Sequence, residues 1–232
     1  MDSEYFLSFS LSDRQKEISE KLAELVEQGK SVLLEAVCGA GKTEIVYETI
    51  SVALKQKKKV GFAISRRQVV LEIAKRLQEV FKNLEVTAVC QGYTGRIDGD
   101  LIVCTTHQLY RYRNYFDLLI IDEADGFPFK DNEVLQGIAR NSYRKSVIYL
   151  TATPDEKLMQ RVMNRELSYL HLSKRPLGND LIIPEVIYSF RWSLYFVLIA
   201  KINSLVKLDR KLLVFVPTIK MSRLLYFMLR RF

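Results

Sequence analysis

Apolar residues near the start of the chain recur at the spacing of one helix face. The recurring positions are Ile18, Leu22, Leu25 and Val26. Ser12 or Asp13 is placed to cap the first turn, and Gly29 follows the last periodic residue. The pattern therefore predicts an amphipathic helix over residues 12–28.

Short apolar runs alternate with helical segments along the next part of the chain. Strands are predicted at 31–37, 59–64, 85–90, 100–104, 117–121 and 146–150. Helices are predicted after residue 43, at about 69–81, and in a polar stretch from 153 to about 167. Two of the strand runs are apolar on both faces, which is typical of parallel strands covered by helices on either side. We expect an α/β fold with a doubly wound parallel sheet.

A second pattern begins beyond a segment rich in turn-forming residues. Pro176, Gly178 and Asn179 lie in this segment, which predicts a linker over 173–181. Strands are then predicted at 182–188 and 211–216, and helices at 193–206 and 219–231. Two strands are too few for a complete sheet. The expected organisation is a first lobe at 1–172, the linker, and an incomplete second lobe at 182–232.

Composition narrows the class of protein. Apolar residues make up 48% and charged residues 27%, a balance that excludes a disordered chain. No apolar run is long enough for a membrane span, and the first residues are acidic where a secretory signal is basic, so we expect a cytoplasmic protein. The three cysteines form no C-x-x-C pair, which argues against a zinc site and predicts small buried apolar residues.

The net charge of +8 is placed unevenly. Residues 161–232 carry 13 Lys/Arg and 4 Asp/Glu, whereas residues 1–160 carry 22 and 23. Two interpretations stay open. The basic segment either holds a phosphate backbone or is a surface lacking its natural partner.

A glycine-rich loop between a predicted strand and a predicted helix carries the strongest chemical signal. The run AVCGAGKT at 36–43 matches a phosphate-binding loop except at Ala36, where the general pattern has glycine. Backbone N–H groups and the helix start surround phosphates in such loops, while Lys42 reaches the β and γ phosphates and the Thr43 hydroxyl ligates Mg²⁺. The predicted ATP contacts are Gly39, Ala40, Gly41, Lys42 and Thr43.

Two adjacent carboxylates follow the apolar run at 118–121. Because ligands of open α/β sheets bind at the carboxyl ends of the strands, Asp122 and Glu123 are expected beside the phosphate loop. Asp122 is predicted to hold Mg²⁺ and Glu123 to orient and deprotonate the attacking water. Lys42 and Glu123 are thus the candidate catalytic residues.

Further candidates rest on shorter patterns. The TAT triplet after the strand at 146–150 resembles motif III of superfamily 2 helicases, which implies that Thr151 and Thr153 bond to the acidic motif and couple nucleotide state to the rest of a motor. Residues 11–15 resemble the Q motif of these helicases, which implies that Gln15 reads the adenine edge, since an amide offers both a donor and an acceptor. Both patterns have plain alternatives, a strand terminator and a polar residue in a first helical turn.

Candidate nucleic-acid contacts follow two other strands. They are Arg66, Arg67, Thr105, Thr106, His107 and Gln108, in two segments that resemble motifs Ia and Ib of superfamily 2 helicases, and the resemblance implies their contact with nucleic acid. Hydroxyls, helix starts and arginines at strand ends bind phosphates without reading sequence. His107 as a packed loop residue, and the arginines as solvated side chains, remain alternatives. Tyr110, Tyr112 and Tyr115 are candidates for base stacking, with core packing or exposed rim positions as the alternatives.

The order of these motifs resembles one family, the late-competence DNA-uptake helicase of bacteria, ComF operon protein A, of helicase superfamily 2. The segments at 105–109, 116–129 and 147–154 carry the resemblance. It implies RecA-like lobes and an ATP- and Mg²⁺-dependent motor that acts on single-stranded DNA. It also implies a cytoplasmic protein, peripheral at the inner face of the cell membrane, with a membrane DNA channel and other competence proteins as partners.

Two departures limit what the resemblance implies. The four-cysteine zinc motif of the family is missing, so no zinc is expected. The sequence also stops at Phe232, before the second-lobe arginines of the family, so we expect ATP binding with slow turnover.

Other functions stay open. One is another superfamily 2 motor, such as a primosomal restart helicase or a DEAD-box RNA helicase, although Thr151 stands where the RNA family usually has serine. Another is a module that binds ATP and nucleic acid without hydrolysis.

Overall fold

The computed structural model describes residues 5, 10–173, 185–190, 193–209 and 211–230. Contacts divide the chain into two compact units, Met1–Asp180 and Leu181–Phe232. The predicted boundaries at 172/173 and 181/182 lie in or beside residues outside the described ranges, as does all of the predicted linker beyond residue 173. The division into two lobes and a linker therefore stays a prediction.

The first unit is built on a seven-stranded sheet in which every described pairing is parallel. The strands are β1 (Val32–Ala36), β2 (Val60–Ile64), β3 (Val86–Val89), β4 (Leu101–Thr105), β5 (Phe116–Asp122), β6 (Tyr143–Thr151) and β7 (Ser168–Leu172). Their order across the sheet is β3-β4-β2-β5-β6-β1-β7. All six predicted strands of this unit are present. The strand β7 was not predicted and follows a helix that ends earlier than expected.

Helices cover the sheet on both faces. They are α1 (Asp13–Glu27), α2 (Lys42–Ile45), α3 (Tyr47–Lys55), α4 (Arg67–Val80), α5 (Glu133–Ser142) and α6 (Glu156–Met163), with a 3₁₀ helix at Thr106–Arg111. Because successive strand residues point to opposite faces, Leu34 and Leu33 enter different hydrophobic clusters. One cluster includes α1, α3 and α4, and the other includes α5, α6 and the 3₁₀ helix. The predicted α/β class with a parallel, RecA-like sheet is confirmed.

The first helix is fixed at its start by a capping box. The Ser12 hydroxyl accepts from the backbone N–H of Gln15, and the Gln15 side chain accepts in return from the backbone N–H of Ser12. Ile18 and Leu22 then bury the apolar face of the helix against the sheet. Reciprocal capping therefore sets where α1 begins, at the residue that the sequence pattern indicates.

The second unit contains two described helices, α7 (Leu194–Val206) and α8 (Ile219–Leu229), close to the predicted bounds. The strands predicted at 182–188 and 211–216 are not formed in the part of these segments that the structure describes, 185–188 and 211–216. Apolar residues in such a run show that the segment favours the strand conformation. A strand in a sheet also needs a neighbouring backbone to pair with. Residues 182–184 lie outside the described ranges. None of the described helices is long and apolar enough to cross a membrane.

Candidate nucleotide site and nucleic-acid edge

The glycine-rich loop connects the end of β1 to the start of α2. Gly39 and Gly41 adopt φ values of 78° and 76°, in the left-handed region that glycine enters without steric cost. Lys42 and Thr43 follow Gly41 directly in the first turn of α2, and both side chains are half-buried. The backbone therefore has the two unusual conformations that a loop wrapped around phosphates requires.

Gln15 is held under this loop. Its Nε2 donates to the carbonyl oxygen of Ala40 at 2.9 Å, and its Oε1 accepts from Ser12 N at 2.9 Å and Ser12 Oγ at 3.0 Å. Only 2% of its surface is accessible. Gln15 thus ties α1 to the phosphate loop in this structure. Its contact with adenine stays a prediction.

The acidic motif lies at the end of β5, two strands from β1. Burial raises the pKa of Asp122, while Lys42 and the N–H of Glu123, which donates to Asp122 Oδ1 at 3.0 Å, act in the opposite direction. Because these two favourable interactions do not fully offset the cost of burying the Asp122 carboxylate, a further positive charge beside it would stabilise its ionised form. The charges of Asp122 and Lys42 therefore attract each other at this edge of the sheet, while the predicted roles of both residues stay predictions.

Glu123 stands at the exposed start of a tight turn. Its φ is 52°, an uncommon conformation for a residue with a side chain. The turn closes when Gly126 N donates to Glu123 O at 2.8 Å. A side chain added at Gly126 would lie 3.1 Å from that same oxygen, so glycine fits the close approach. The backbone thus presents Glu123 to solvent beside the half-buried Asp122.

Both threonines of the TAT triplet bond to one carboxylate. Thr151 Oγ1 donates to Asp125 Oδ1 and Thr153 Oγ1 to Asp125 Oδ2, each at 2.5 Å. Asp125 was not among the predicted site residues. The parallel pairing of β5 with β6 brings the two motifs together, and the threonines bond to the acidic motif as predicted.

The pKa of Asp125 reflects these bonds. Burial by itself would raise it, but the hydroxyls of Thr151 and Thr153, a backbone N–H and the charge of Lys42 together lower it below the ordinary value of 3.8. Asp125 is therefore held as a carboxylate that links the acidic motif to the end of β6.

Replacing Thr153 with valine is expected to raise the pKa of Asp125, because one donor to the ionised form is lost. Since folding lowers this pKa, the carboxylate stabilises the fold above pH 3.8, and the contribution disappears as the pH falls through the folded pKa. The free energy of unfolding of Thr153→Val should then be lower by about 1 kcal/mol at neutral pH. The measurement is an NMR titration of the Asp125 carboxyl carbon. Thr153→Ser, which keeps the hydroxyl, should titrate as the unmodified chain does, and equal pKa values in all three proteins would contradict the bond.

The site fits a nucleotide with Mg²⁺. The Thr43 hydroxyl and Asp122 carboxylate are the hard oxygen donors that Mg²⁺ prefers, and the raised pKa of Asp122 favours a divalent cation beside it. The described residues contain no group of three or more His, Cys, Asp or Glu able to hold a metal. Mg²⁺ at phosphate sites takes one or two protein ligands and completes its shell with phosphates and water.

The predicted nucleic-acid contacts differ in accessibility. Arg66 and Arg67 are exposed after β2, and His107 is exposed after β4. Thr106 is fully buried and Thr105 nearly so, which corrects the expectation that their hydroxyls face a phosphate. Gln108 is half-buried, and its Oε1 accepts from Arg111 Nε at 2.5 Å. The strand ends are adjacent, because β4 pairs with β2, but only part of the predicted set lies at the surface.

The tyrosines considered for base stacking also differ in accessibility. Tyr112 is buried and Tyr115 half-buried, and both pack against Phe116 with ring centroids 4.9 and 5.2 Å away. Tyr110 alone of the three is exposed. Cys90 and Cys104 are buried as expected, whereas Cys38, in the glycine-rich loop, is exposed, which corrects the prediction that all three are buried.

The fold and the site together define a P-loop nucleotide-binding α/β domain. In sequence comparison, the family described as "Type III restriction enzyme, res subunit" matches residues 8–156, and the chain belongs to this family. Competence protein ComFA of Bacillus subtilis (strain 168) is 35% identical over 186 residues, 78% of this chain, and that of Streptococcus pneumoniae (strain ATCC BAA-255 / R6) is 36% identical over 219 residues, 90% of this chain. The resemblance to the competence helicases is confirmed.

The matched region is only part of those relatives. The chain covers 40% of the Bacillus protein and 50% of the Streptococcus protein. Two solved structures share the fold at a TM-score of 0.56. The Sulfolobus solfataricus SWI2/SNF2 ATPase core in complex with dsDNA is 20% identical, covering 65% of this chain and 33% of that chain. The hypothetical ATP-dependent RNA helicase from Sulfolobus tokodaii is 23% identical, covering 72% and 54%. The family match and the competence relatives together support a superfamily 2 helicase-like motor.

Proposed function

We propose that this chain binds and hydrolyses ATP as part of a DNA translocase that moves single-stranded DNA during transformation. One observation carries the proposal. The phosphate loop, the acidic motif and the TAT triplet follow β1, β5 and β6, three neighbouring strands whose carboxyl ends share one edge of the sheet. Such an edge is where open α/β sheets bind their ligands.

Each residue has a distinct task in this proposal. The backbone N–H groups of the loop and Lys42 bind the phosphates, and Thr43 and Asp122 hold Mg²⁺. Mg²⁺ held by these two residues would offset the negative charge that develops on the phosphate oxygens. Glu123, exposed beside Asp122, orients the attacking water and accepts its proton.

Asp125 and its two threonines connect this chemistry to the rest of the motor. The carboxylate is rigidly held, because both of its oxygens accept from β6 or the residues just after it. A displacement of the acidic motif on hydrolysis would therefore be transmitted to Thr151 and Thr153. In this proposal the threonines couple nucleotide state to nucleic-acid binding.

The substrate and surroundings follow from the competence relatives named above. Single-stranded DNA is the proposed track, with RNA as the less favoured alternative. The proposed location is the cytoplasm, with peripheral attachment to the inner face of the cell membrane. A membrane DNA-uptake channel and other competence proteins are the proposed partners.

The test is steady-state ATP hydrolysis by this chain with and without single-stranded DNA. We expect the DNA to raise the rate and Glu123→Gln to abolish the increase. Nucleotide binding without turnover, even with DNA present, would overturn hydrolysis by this chain and favour a module that only binds. A larger stimulation by RNA of equal length would instead favour an RNA motor.

A further inference from the structure

An exposed tyrosine stands at the carboxyl edge of the sheet on a closed turn. Tyr93 N donates to Cys90 O at 2.8 Å, and Cys90 N donates to Tyr93 O at 3.2 Å. Gly92 has a φ of 81°, which allows the chain to reverse within these four residues. Tyr93 keeps 48% of its surface accessible. The turn follows β3 and so holds an aromatic ring rigidly at the edge where nucleic-acid contacts are predicted.

Arg67 braces this ring from another strand end. Its Nε donates to Gln91 O at 2.8 Å, and its guanidinium carbon lies 5.6 Å from the centroid of the Tyr93 ring. Since β4 lies between β2 and β3, an arginine that follows β2 reaches this turn only by passing the end of β4. Arg67 therefore connects the end of β2 with the turn after β3, across the end of β4.

The two arginines near this turn, Arg67 and Arg96, differ in whether an acidic side chain offsets their charge. The partners of Arg67 named above, a carbonyl oxygen and a tyrosine ring, are both neutral, so its positive charge is not offset by them. Arg96, farther along the same loop, is paired with Glu85 and with Asp98. A phosphate near the edge would therefore be attracted by Arg67 rather than by Arg96.

We propose that Tyr93, braced by Arg67, stacks on an unpaired base of the nucleic acid while Arg67 faces the adjoining phosphate. The inference rests on the proposed function, because it assigns a contact within the same track. The guanidinium occupies one face of the ring, which leaves the remaining accessible surface for a base. Bases inside a duplex are already stacked on their neighbours, so this subsite selects single strands.

The experiment compares two ligands that share a backbone. Fluorescence anisotropy measures binding of this chain to a labelled oligodeoxythymidylate and to an abasic oligonucleotide of equal length. Stacking on a base contributes a factor of about 5 to 100 in affinity. We expect Tyr93→Ala to lose a factor in that range for the thymidylate and nothing for the abasic strand. Tyr93→Phe, which keeps the ring, should bind as the unmodified chain does.

Two controls separate stacking from folding and from charge. Tyr169→Ala removes a comparably exposed tyrosine from β7, at the opposite edge of the sheet, and should leave binding unchanged. Because Tyr93 is neutral, Tyr93→Ala should also keep the slope of log affinity against log salt, whereas Arg66→Ala should reduce that slope by about 0.7 for a single strand.

The outcomes distinguish this inference from the proposed function. If the unmodified chain binds neither oligonucleotide, the nucleic-acid function itself fails. If it binds both equally and Tyr93→Ala does not alter either affinity, the function stands and the stacking subsite is overturned. If Tyr93→Ala weakened binding of both oligonucleotides equally while the variant kept the circular dichroism spectrum of the unmodified chain, stacking would likewise be contradicted.

Discussion

Substituting alanine for Gly41 is expected to weaken nucleotide binding by about 100-fold. A left-handed alanine costs about 1 to 2 kcal/mol. Its Cβ would also lie 2.7 Å from Gln15 Nε2, which is closer than such atoms approach, so the hydrogen bond from Gln15 to Ala40 must break at a cost of about 1 kcal/mol. The loop would relax to a different conformation. Restoring the conformation that binds nucleotide would then cost about 3 kcal/mol, which corresponds to a loss of affinity on the order of 100-fold.

Gly29→Ala provides the matched control, measured alongside by titration with a fluorescent ATP analogue. Gly29 has the same φ of 76°, but nothing lies within 4 Å of an added Cβ. This variant should lose about 1 to 2 kcal/mol in the free energy of unfolding and bind nucleotide normally. If both variants bound nucleotide as the unmodified chain does, the left-handed loop would not be the phosphate site.

Changing Glu123 to glutamine should lower DNA-stimulated hydrolysis by about 10² to 10⁴-fold while nucleotide still binds. The amide has the shape of the carboxylate but does not accept a proton from water, and general-base catalysis typically contributes a factor of this size. Binding is expected to persist because Lys42 and Thr43, the predicted phosphate and Mg²⁺ contacts, are unchanged. Single-turnover hydrolysis and equilibrium binding of the same nucleotide separate the two effects.

The same substitution at Glu133 tests whether any nearby charge matters. Glu133 is exposed in the first turn of α5, a few residues beyond the acidic motif. Glu133→Gln should leave the rate within about twofold. A Glu123→Gln protein that hydrolyses ATP at the unmodified rate would assign the proton acceptor to another residue.

The sequence predicted those parts of the molecule that depend on local pattern. Six strands of the first unit, the cap of α1 and the position of the phosphate loop each follow from a few adjacent residues. The acidic motif was also identified, since the buried strand before it is continuous and apolar. Hydrophobic periodicity and turn residues are properties of short segments, so they can be read without knowing the neighbours.

Contacts between distant segments were missed or misjudged. The bond from Thr151 and Thr153 to the acidic motif was predicted, but Asp125 was not named as its acceptor, because the pairing of β5 with β6 decides which carboxylate they reach. Thr106 was assigned to the surface, although packing buries it completely. Tyr93 was not singled out, since its partner Arg67 follows a different strand. Burial and strand order decide such roles, and neither is encoded in spacing alone.

The tie between Gln15 and Ala40 sets a practical limit for protein engineering. A deletion from the amino end that removes Ser12 would take away the partner that orients the Gln15 amide, even though the glycine-rich run itself would be intact. An affinity tag or fluorescent fusion joined close to Ser12 would disturb the same bonds. Shortened versions of the chain that retain AVCGAGKT but begin after residue 12 should therefore not be assumed to keep a working nucleotide site.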